Sequence, residues 1–235
     1  MGSAITLSVQ TPDHLRKLKL SSIPTNFNNV DMFKDINFLY SMALQEVAHL
    51  PFVYLVDKYR YDVFAGKIKT DELNSKWWSS VLKNQGLCAP VARTEEDFDA
   101  GSKYHVPADV PYMRYFVAGI LQFQIHKALC ERSGHVGPLY ACNIDGSKQA
   151  GKLLQEVMSL GSSVPWQVVL EKLTGSPKMD ASALLEYFEP LTDWLENYNS
   201  DGNSVGWDSL AASEAICPQD SSSSSGSPPE LTSFP

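Results

Sequence analysis

Between Pro111 and Gly134 lies the stretch Tyr112–Arg132, long, mostly apolar and free of internal proline. Its apolar residues, among them Phe116, Ile120 and Phe123, fall on more than one face of a helix. A surface helix needs only one apolar stripe, so this pattern predicts a central, buried helix with neighbours on several sides. Strand-like alternation of apolar and polar residues is nearly absent along the chain, so the fold class is all-α.

Other segments follow the same period. Ile36, Leu39, Ala43, Val47 and Leu50 recur at steps of three or four, with Pro51 expected to kink or break the helix there. A second helix, Phe52–Phe64, is expected to stop at Gly66. Thr70 is read as the cap of a helix that carries Trp77 and Trp78 and ends at Lys83. Residues 86–111, rich in Gly and Pro, read as irregular loop, and residues 12–34 as a loop with a short helix. Three further helices are expected near 147–160, 165–173 and 180–198, the last kinked at Pro190. The five serines at 221–225 and the prolines after them cannot bury enough apolar surface to offset the entropy of ordering, so residues 208–235 are expected to be a disordered tail.

A chain of 235 residues with 43% apolar and 20% charged residues can bury a real core. Its net charge of −8 disfavours nonspecific binding to nucleic acid or anionic lipid. No apolar run is long enough for a membrane span. Met1–Gln10 lacks the basic n-region and apolar core of a signal peptide. Gly2 and Thr6 fit the N-myristoylation pattern, but no basic cluster follows to supply a second membrane signal. There is no Asn-x-Ser/Thr sequon, and the four cysteines, Cys88, Cys130, Cys142 and Cys217, contain no CxxC pair.

A search for metal ligands meets Gln45-Glu46-Val47-Ala48-His49, which has the outline of a zinc-binding HExxH helix with Gln in place of the first His. One imidazole and one carboxylate do not make that site, and a helix with a polar edge is the plainer reading. The remaining histidines, His14, His105, His126 and His135, include no pair at helical ligand spacing, so no zinc site is read in the chain.

The densest polar and aromatic stretch is Lys103-Tyr104-His105-Val106-Pro107-Ala108-Asp109-Val110-Pro111-Tyr112-Met113-Arg114-Tyr115-Phe116. Lys103 and Tyr112 could hold a carboxylate, while His105 and Tyr115 could donate hydrogen bonds to a developing oxyanion. A Tyr-rich loop whose hydroxyls cap backbone groups is the alternative.

This stretch closely resembles the signature K-[FY]-H-[IV]-x-x-x-V-P-Y-[IML]-R-Y of the angiotensin-converting enzyme family. The resemblance extends over about residues 4–207. It includes Asp35-Ile36-Asn37-Phe38-Leu39, Trp77-Trp78, Gln85-Gly86-Leu87-Cys88, Ile120-Leu121-Gln122-Phe123-Gln124, His135-Val136-Gly137-Pro138-Leu139, Ser147-Lys148-Gln149-Ala150-Gly151 and Tyr187-Phe188-Glu189-Pro190-Leu191. It implies that residues 1–207 are the C-terminal part of a two-lobed, mostly helical zinc peptidyl-dipeptidase with a deep central cleft. Such an enzyme releases dipeptides from the free C-terminus of an oligopeptide.

By this resemblance, Lys103 and Tyr112 would grip the substrate carboxylate. His105 and Tyr115 would act on the tetrahedral intermediate, and Arg114, Trp77 and Trp78 would belong to chloride sites. Cys130 and Cys142 would form a disulfide, which points to a secreted, extracellular protein. Cys88 and Cys217 would be free, or Cys217 would pair outside the chain. The intact family enzyme uses zinc and chloride. Its HEMGH helix and third ligand, a Glu about one turn before the segment that here reads Leu7-Ser8-Val9-Gln10-Thr11-Pro12, are expected to precede this chain. No zinc is therefore expected in it, and no metal ligands are assigned.

His49 and Gly119 stand where well-known active members carry Phe, which implies a wider and more polar pocket for the last substrate side chain. Val81 replaces an Arg of another chloride site. The partners implied are an oligopeptide with a free C-terminus and the missing N-terminal part of the same domain. Without that part, apolar faces of the 36–64 and 112–132 helices should be exposed, and the isolated chain should aggregate or depend on a partner. The chain reads as a fragment of an active peptidase, or alternatively as an inactive truncated paralogue that binds peptides or regulates. An unrelated helical interaction module would have no reason to keep the spacing of the signature.

Overall fold

A computed structural model describes residues 1–21 and 31–200, with the backbone only at 31–34. Among the described residues there are nine α-helices and no strand. No helix among them is long and apolar enough to cross a membrane. The tail expected at 208–235 lies outside these residues. Two compact units are present, one made of residues up to Asp57 and from Val110 onward, the other of Lys58–Asp109.

In the first unit, α1 (Gly2–Val9) and α2 (Pro12–Lys17) lead the chain. Thr11 caps α2 by accepting the His14 N–H at 3.3 Å, and Pro12 occupies its first position, where a missing N–H costs nothing. The helix α1 was not foreseen by periodicity. It is short and mixes small polar residues with apolar ones, and it buries Ala4, Leu7 and Ser8. Then come α3 (Asp31–Glu46) and α4 (His49–Phe64). The break between them falls at Val47-Ala48, three to four residues before the one expected at Pro51. Proline sits instead inside the first turn of α4, a place it tolerates.

The segment that opened the sequence reading is α6 (Met113–Ser133). Its start is capped from a distance: the Asp57 carboxylate accepts the Tyr112 N–H at 2.9 and 3.0 Å and the Met113 N–H at 2.6 Å. Its end is a left-handed Gly134 (φ 77°), with the His135 N–H returning to the Cys130 carbonyl. Around it pack α7 (Lys148–Met158), capped by Ser147, α8 (Trp166–Thr174) and α9 (Ser182–Asn199). Pro190 lies within α9 and does not end it.

The two-faced pattern of α6 has a direct cause. One face, with Ile120 and Phe123, joins Leu7, Ile36, Leu39, Met42, Tyr187, Phe188 and Leu191 in one cluster. Another, with Ile125 and Leu129, joins Ala4, Ala150, Leu153, Val157, Leu170 and Leu173 in a second. An apolar face is exposed on α3 and α4, at Tyr40, Leu44 and Tyr54, with Val47 between them. The expectation of an equally exposed face on α6 does not hold, because the helices around it cover it. Among its large apolar residues only Tyr115 is exposed. Self-association through the α3–α4 face is expected: light scattering coupled to size exclusion should show an apparent mass that rises with concentration. A monodisperse monomer at all concentrations would contradict it.

His126, on α6, is fully buried, and this burial pulls its pKa down to about 4. A lowered folded-state pKa means that the unfolded chain takes up the proton first. Stability from this group is therefore present above the ordinary histidine range and is lost as pH falls from about 6.5 towards 4. The loss amounts to about 2–3 kcal/mol at pH 4.5. Urea midpoints at pH 7 and 4.5 should differ less in His126→Gln than in the unaltered chain. An equal difference would refute this.

In the second unit, α5 (Leu73–Gln85) ends at a left-handed Gly86. The cap expected from Thr70 is not made. The helix begins at Leu73, and the Glu95 carboxylate accepts the N–H groups of Asn74 and Ser75 at 2.8 and 2.9 Å. The Ser75 side chain, and then these backbone N–H groups, hold the Glu95 carboxyl below its usual range. Trp77 packs edge-on against Tyr59 at 5.4 Å, and the Tyr59 hydroxyl donates to the Leu73 carbonyl. Buried Asn74 ties the 94–99 loop to the helix through the Thr94 carbonyl, the Asp99 carboxylate and the Asp99 N–H. Residues 86–111 are otherwise irregular, as expected, apart from a 3-10 turn at Asp99–Ser102.

Candidate peptide-end site

The signature residues divide between the two units. Lys103 and His105 belong to the Lys58–Asp109 unit, and Tyr112, Arg114 and Tyr115 to the other.

In the Lys58–Asp109 unit, tight turns shape the loop: the Val106 N–H bonds to the Lys103 carbonyl at 2.8 Å, and the Ala108 N–H to the Tyr104 carbonyl at 3.1 Å. Asp109 takes a left-handed conformation (φ 51°), which a short polar side chain tolerates. Its carboxylate meets Arg60 at 2.5 Å, and the Arg60 side chain is only 7% exposed. The His105 ring lies edge-on to Tyr104 at 5.7 Å. Lys103 and His105 are both half-buried, so solvent does not wholly screen them.

Trp77 is buried, and Val81, one turn on, is buried too. The Trp78 indole N–H donates to Asp99 at 2.8 Å, and Asp99 also pairs with Arg93 at 3.0 Å. An anion at Trp78 would have to compete with that carboxylate.

In the other unit, Tyr112 is buried and Tyr115 is 42% exposed, with ring centroids 4.8 Å apart. Tyr112 is further fixed by Phe52 at 6.0 Å and His49 at 6.4 Å, both edge-on. Asp57, 1% exposed, anchors the backbone at Tyr112 and Met113. One carboxylate therefore sets both the start of α6 and the direction in which Tyr115 leaves it. Arg114 is exposed on the first turn. Sequence reading missed Asp57, although its signal was visible: an acid placed inside the apolar run Tyr54-Leu55-Val56 is either costly or bonded. Asp57→Ala should cost about 2–4 kcal/mol, since two N–H groups lose a charged acceptor. An unfolding midpoint unchanged in urea would show that water replaces the carboxylate.

The space expected from Gly119 is partly occupied. A Cβ there would stand 2.9 Å from the Leu50 Cδ2 atom. His49 tilts against Phe52 at 5.7 Å.

The HExxH-like segment Gln45–His49 spans the break between α3 and α4, so Gln45 and His49 do not share one helix face. Among the described residues the group of His, Cys, Asp or Glu side chains placed to hold a metal is His126, Cys130 and Cys142, which sequence reading overlooked because it compared histidines only with each other. His126 and Cys130 are four apart on α6. Cys130 and Cys142 are joined in a disulfide, as the resemblance implied. This donor set, two of its sulfurs bonded to each other, does not match a peptidase zinc site of two His and a Glu. Cys88 is disulfide-bonded, which corrects the expectation that it is a free thiol. Cys217 lies outside the described residues.

A profile of the family described as angiotensin-converting enzyme matches residues 1–207. The chain is 51% identical over 209 residues to angiotensin-converting enzyme of Mesocricetus auratus, covering 88% of this chain and 16% of that one. It is 53% identical over 191 residues to angiotensin-converting enzyme of Theromyzon tessulatum, covering 81% and 30%. An angiotensin-converting enzyme-like protein of Mus musculus is 48% identical over 214 residues, covering 91% and 28%. The chain thus spans less than a third of the length of these relatives. A helical fold, a formed disulfide and a profile match that runs from the first residue through the whole Lys103–Tyr115 signature agree: this chain belongs to the angiotensin-converting enzyme family.

Proposed function

We propose that the chain is the substrate-end portion of a zinc metallopeptidase that releases dipeptides from the free C-terminus of oligopeptides. The observation that carries this reading is the match over residues 1–207, with Lys103, His105, Tyr112, Arg114 and Tyr115 all in place in the signature. Lys103 and Tyr112 bind the terminal carboxylate, one as a point charge and one as a hydroxyl donor. His105 holds the peptide backbone, and Tyr115 donates to the oxyanion as the carbonyl becomes tetrahedral. Arg114 serves one chloride site, and Trp77 and Trp78 belong to another. In the intact enzyme zinc supplies the activated water and polarises the scissile carbonyl. Among the described residues no two histidines and a glutamate are grouped as the catalytic ion requires, so no step here is routed through it. The Cys130–Cys142 disulfide favours an oxidising, extracellular setting.

A second reading is a catalytically inactive paralogue that binds peptides through the same Lys103 and Tyr112. The two readings separate experimentally. The chain alone, with zinc and a blocked tripeptide, is expected to release no dipeptide. The same chain joined to the family segment that carries HEMGH and the following Glu is expected to gain activity that a chelator abolishes and zinc restores. Failure of the joined protein to turn over, while it binds a peptide with a free carboxylate better than its amide, selects the second reading. Chelator-sensitive turnover by the chain alone would overturn both.

A further inference from the structure

At the first core cluster, which includes Cys130 and Cys142, His126 converges on the two sulfurs of the disulfide. One ligand atom from each lies within 4.8 Å of the others, and all three residues are buried. The His126 ring is wholly enclosed, with Nε2 3.5 Å from the Cys130 sulfur and 3.3 Å from the Leu139 carbonyl oxygen. The Ala4 backbone is the ring's second polar partner.

We propose that, when the Cys130–Cys142 disulfide is open, His126, Cys130 and Cys142 form a buried site for a thiophilic d10 metal ion such as zinc. The geometry needs little change. Tetrahedral zinc with bonds of about 2.0 Å to nitrogen and 2.3 Å to sulfur places nitrogen and sulfur about 3.5 Å apart and two sulfurs about 3.7 Å apart. The first separation is already that of His126 Nε2 and the Cys130 sulfur; the two sulfurs must part, and the Cys142 sulfur lies within 4.8 Å of the other ligand atoms. The helical spacing of His126 and Cys130 fixes one side of the site, and the 3-10 turn Leu139–Ala141 delivers Cys142 on the other. The Leu139 carbonyl oxygen faces the same ring nitrogen and is the nearest candidate for the fourth position.

The chemistry balances. A phosphine reductant and one water convert the disulfide into two thiols and a phosphine oxide. The metal ion then displaces two thiol protons to solvent as it binds the thiolates and the neutral imidazole. A small-molecule disulfide such as oxidised glutathione takes two electrons from the two thiolates and, with two protons, leaves as two thiols, which restores the S–S bond and releases the ion. A newly made chain, before its disulfide closes, would hold the metal, so ion and oxidant compete for the same sulfurs.

The test uses the full 235-residue chain with Cys88→Ser and Cys217→Ser, so that only two sulfurs can titrate as thiols. It is reduced anaerobically with a phosphine, freed of reductant, and titrated with Co2+. One equivalent is expected to give thiolate-to-cobalt charge-transfer absorption in the near ultraviolet and tetrahedral bands in the red. The oxidised chain should give neither. His126→Gln should weaken binding at least tenfold and shift the red bands, and Cys130→Ser with Cys142→Ser should abolish them. A reduced chain without the charge-transfer band, or a band unaltered in affinity and position by His126→Gln, overturns the proposal. Near-ultraviolet circular dichroism is recorded alongside. If reduction or His126→Gln loosens the packing, Zn2+ must restore the signal in the reduced unaltered chain, and failure to restore it also overturns the proposal.

Discussion

Tyr115→Phe, introduced into the chain joined to its zinc-binding family segment, is expected to lower kcat by about 10²–10³-fold and to leave KM nearly unchanged. Tyr115 is half-exposed on the first turn of α6, and its ring rests on buried Tyr112. The substitution removes one oxygen and keeps the ring contact, so the fold should not respond. A hydroxyl that bonds only the developing oxyanion contributes in the transition state and not in the ground state, which is why kcat takes the loss. Lys103→Gln should behave differently. A cation that holds the terminal carboxylate acts in both states, so KM should rise more than kcat falls. Equal kcat in Tyr115→Phe and the unaltered protein would remove Tyr115 from the reaction.

Phe123→Ala is expected to cost about 3–5 kcal/mol of stability. Phe123 has no exposed surface, and its ring meets Tyr187 at 5.1 Å and Phe188 at 5.6 Å, both on α9. The rings pack edge-on, so the loss includes aromatic contact as well as buried area. α6 and α9 are far apart in sequence, and neighbouring helices cannot close the resulting space without leaving their other contacts. The shift in the urea midpoint, followed by far-ultraviolet circular dichroism, measures the cost. A loss under about 1 kcal/mol would mean that the α6–α9 contact relaxes around the gap, and the first core cluster would need to be redrawn.

Several elements were legible because their signals are local. The start of α7 at Ser147, the stop of α6 at Gly134 and that of α5 at Gly86 follow from single residues whose backbone preference acts within one turn. The two-faced apolar pattern of Tyr112–Arg132 required neighbours on two sides, and two clusters supply them. Tyr112 and Tyr115 pack their rings together because they stand three apart at the start of α6, a contact that sequence reading did not draw, having paired Tyr112 with Lys103 and Tyr115 with His105. Where local reading erred, a distant residue had supplied the group. Thr70 is a reasonable cap by type, but the N–H groups at the start of α5 bond to Glu95, twenty residues downstream. Pro51 marks a helix start and not its end, because the chain had already broken before His49.

Composition and spacing alone determined that this chain is helical and where the longest of its described helices lies, because helical period is a property of neighbouring residues. Tertiary structure alone decided that Asp57 sets the first turn of α6, that Trp78 is bound to Asp99, and that His126 stands against the sulfurs of Cys130 and Cys142. Each of these joins a helix to a residue that sequence distance hides. Only packing, which enforces a partner for every buried polar group, could choose it.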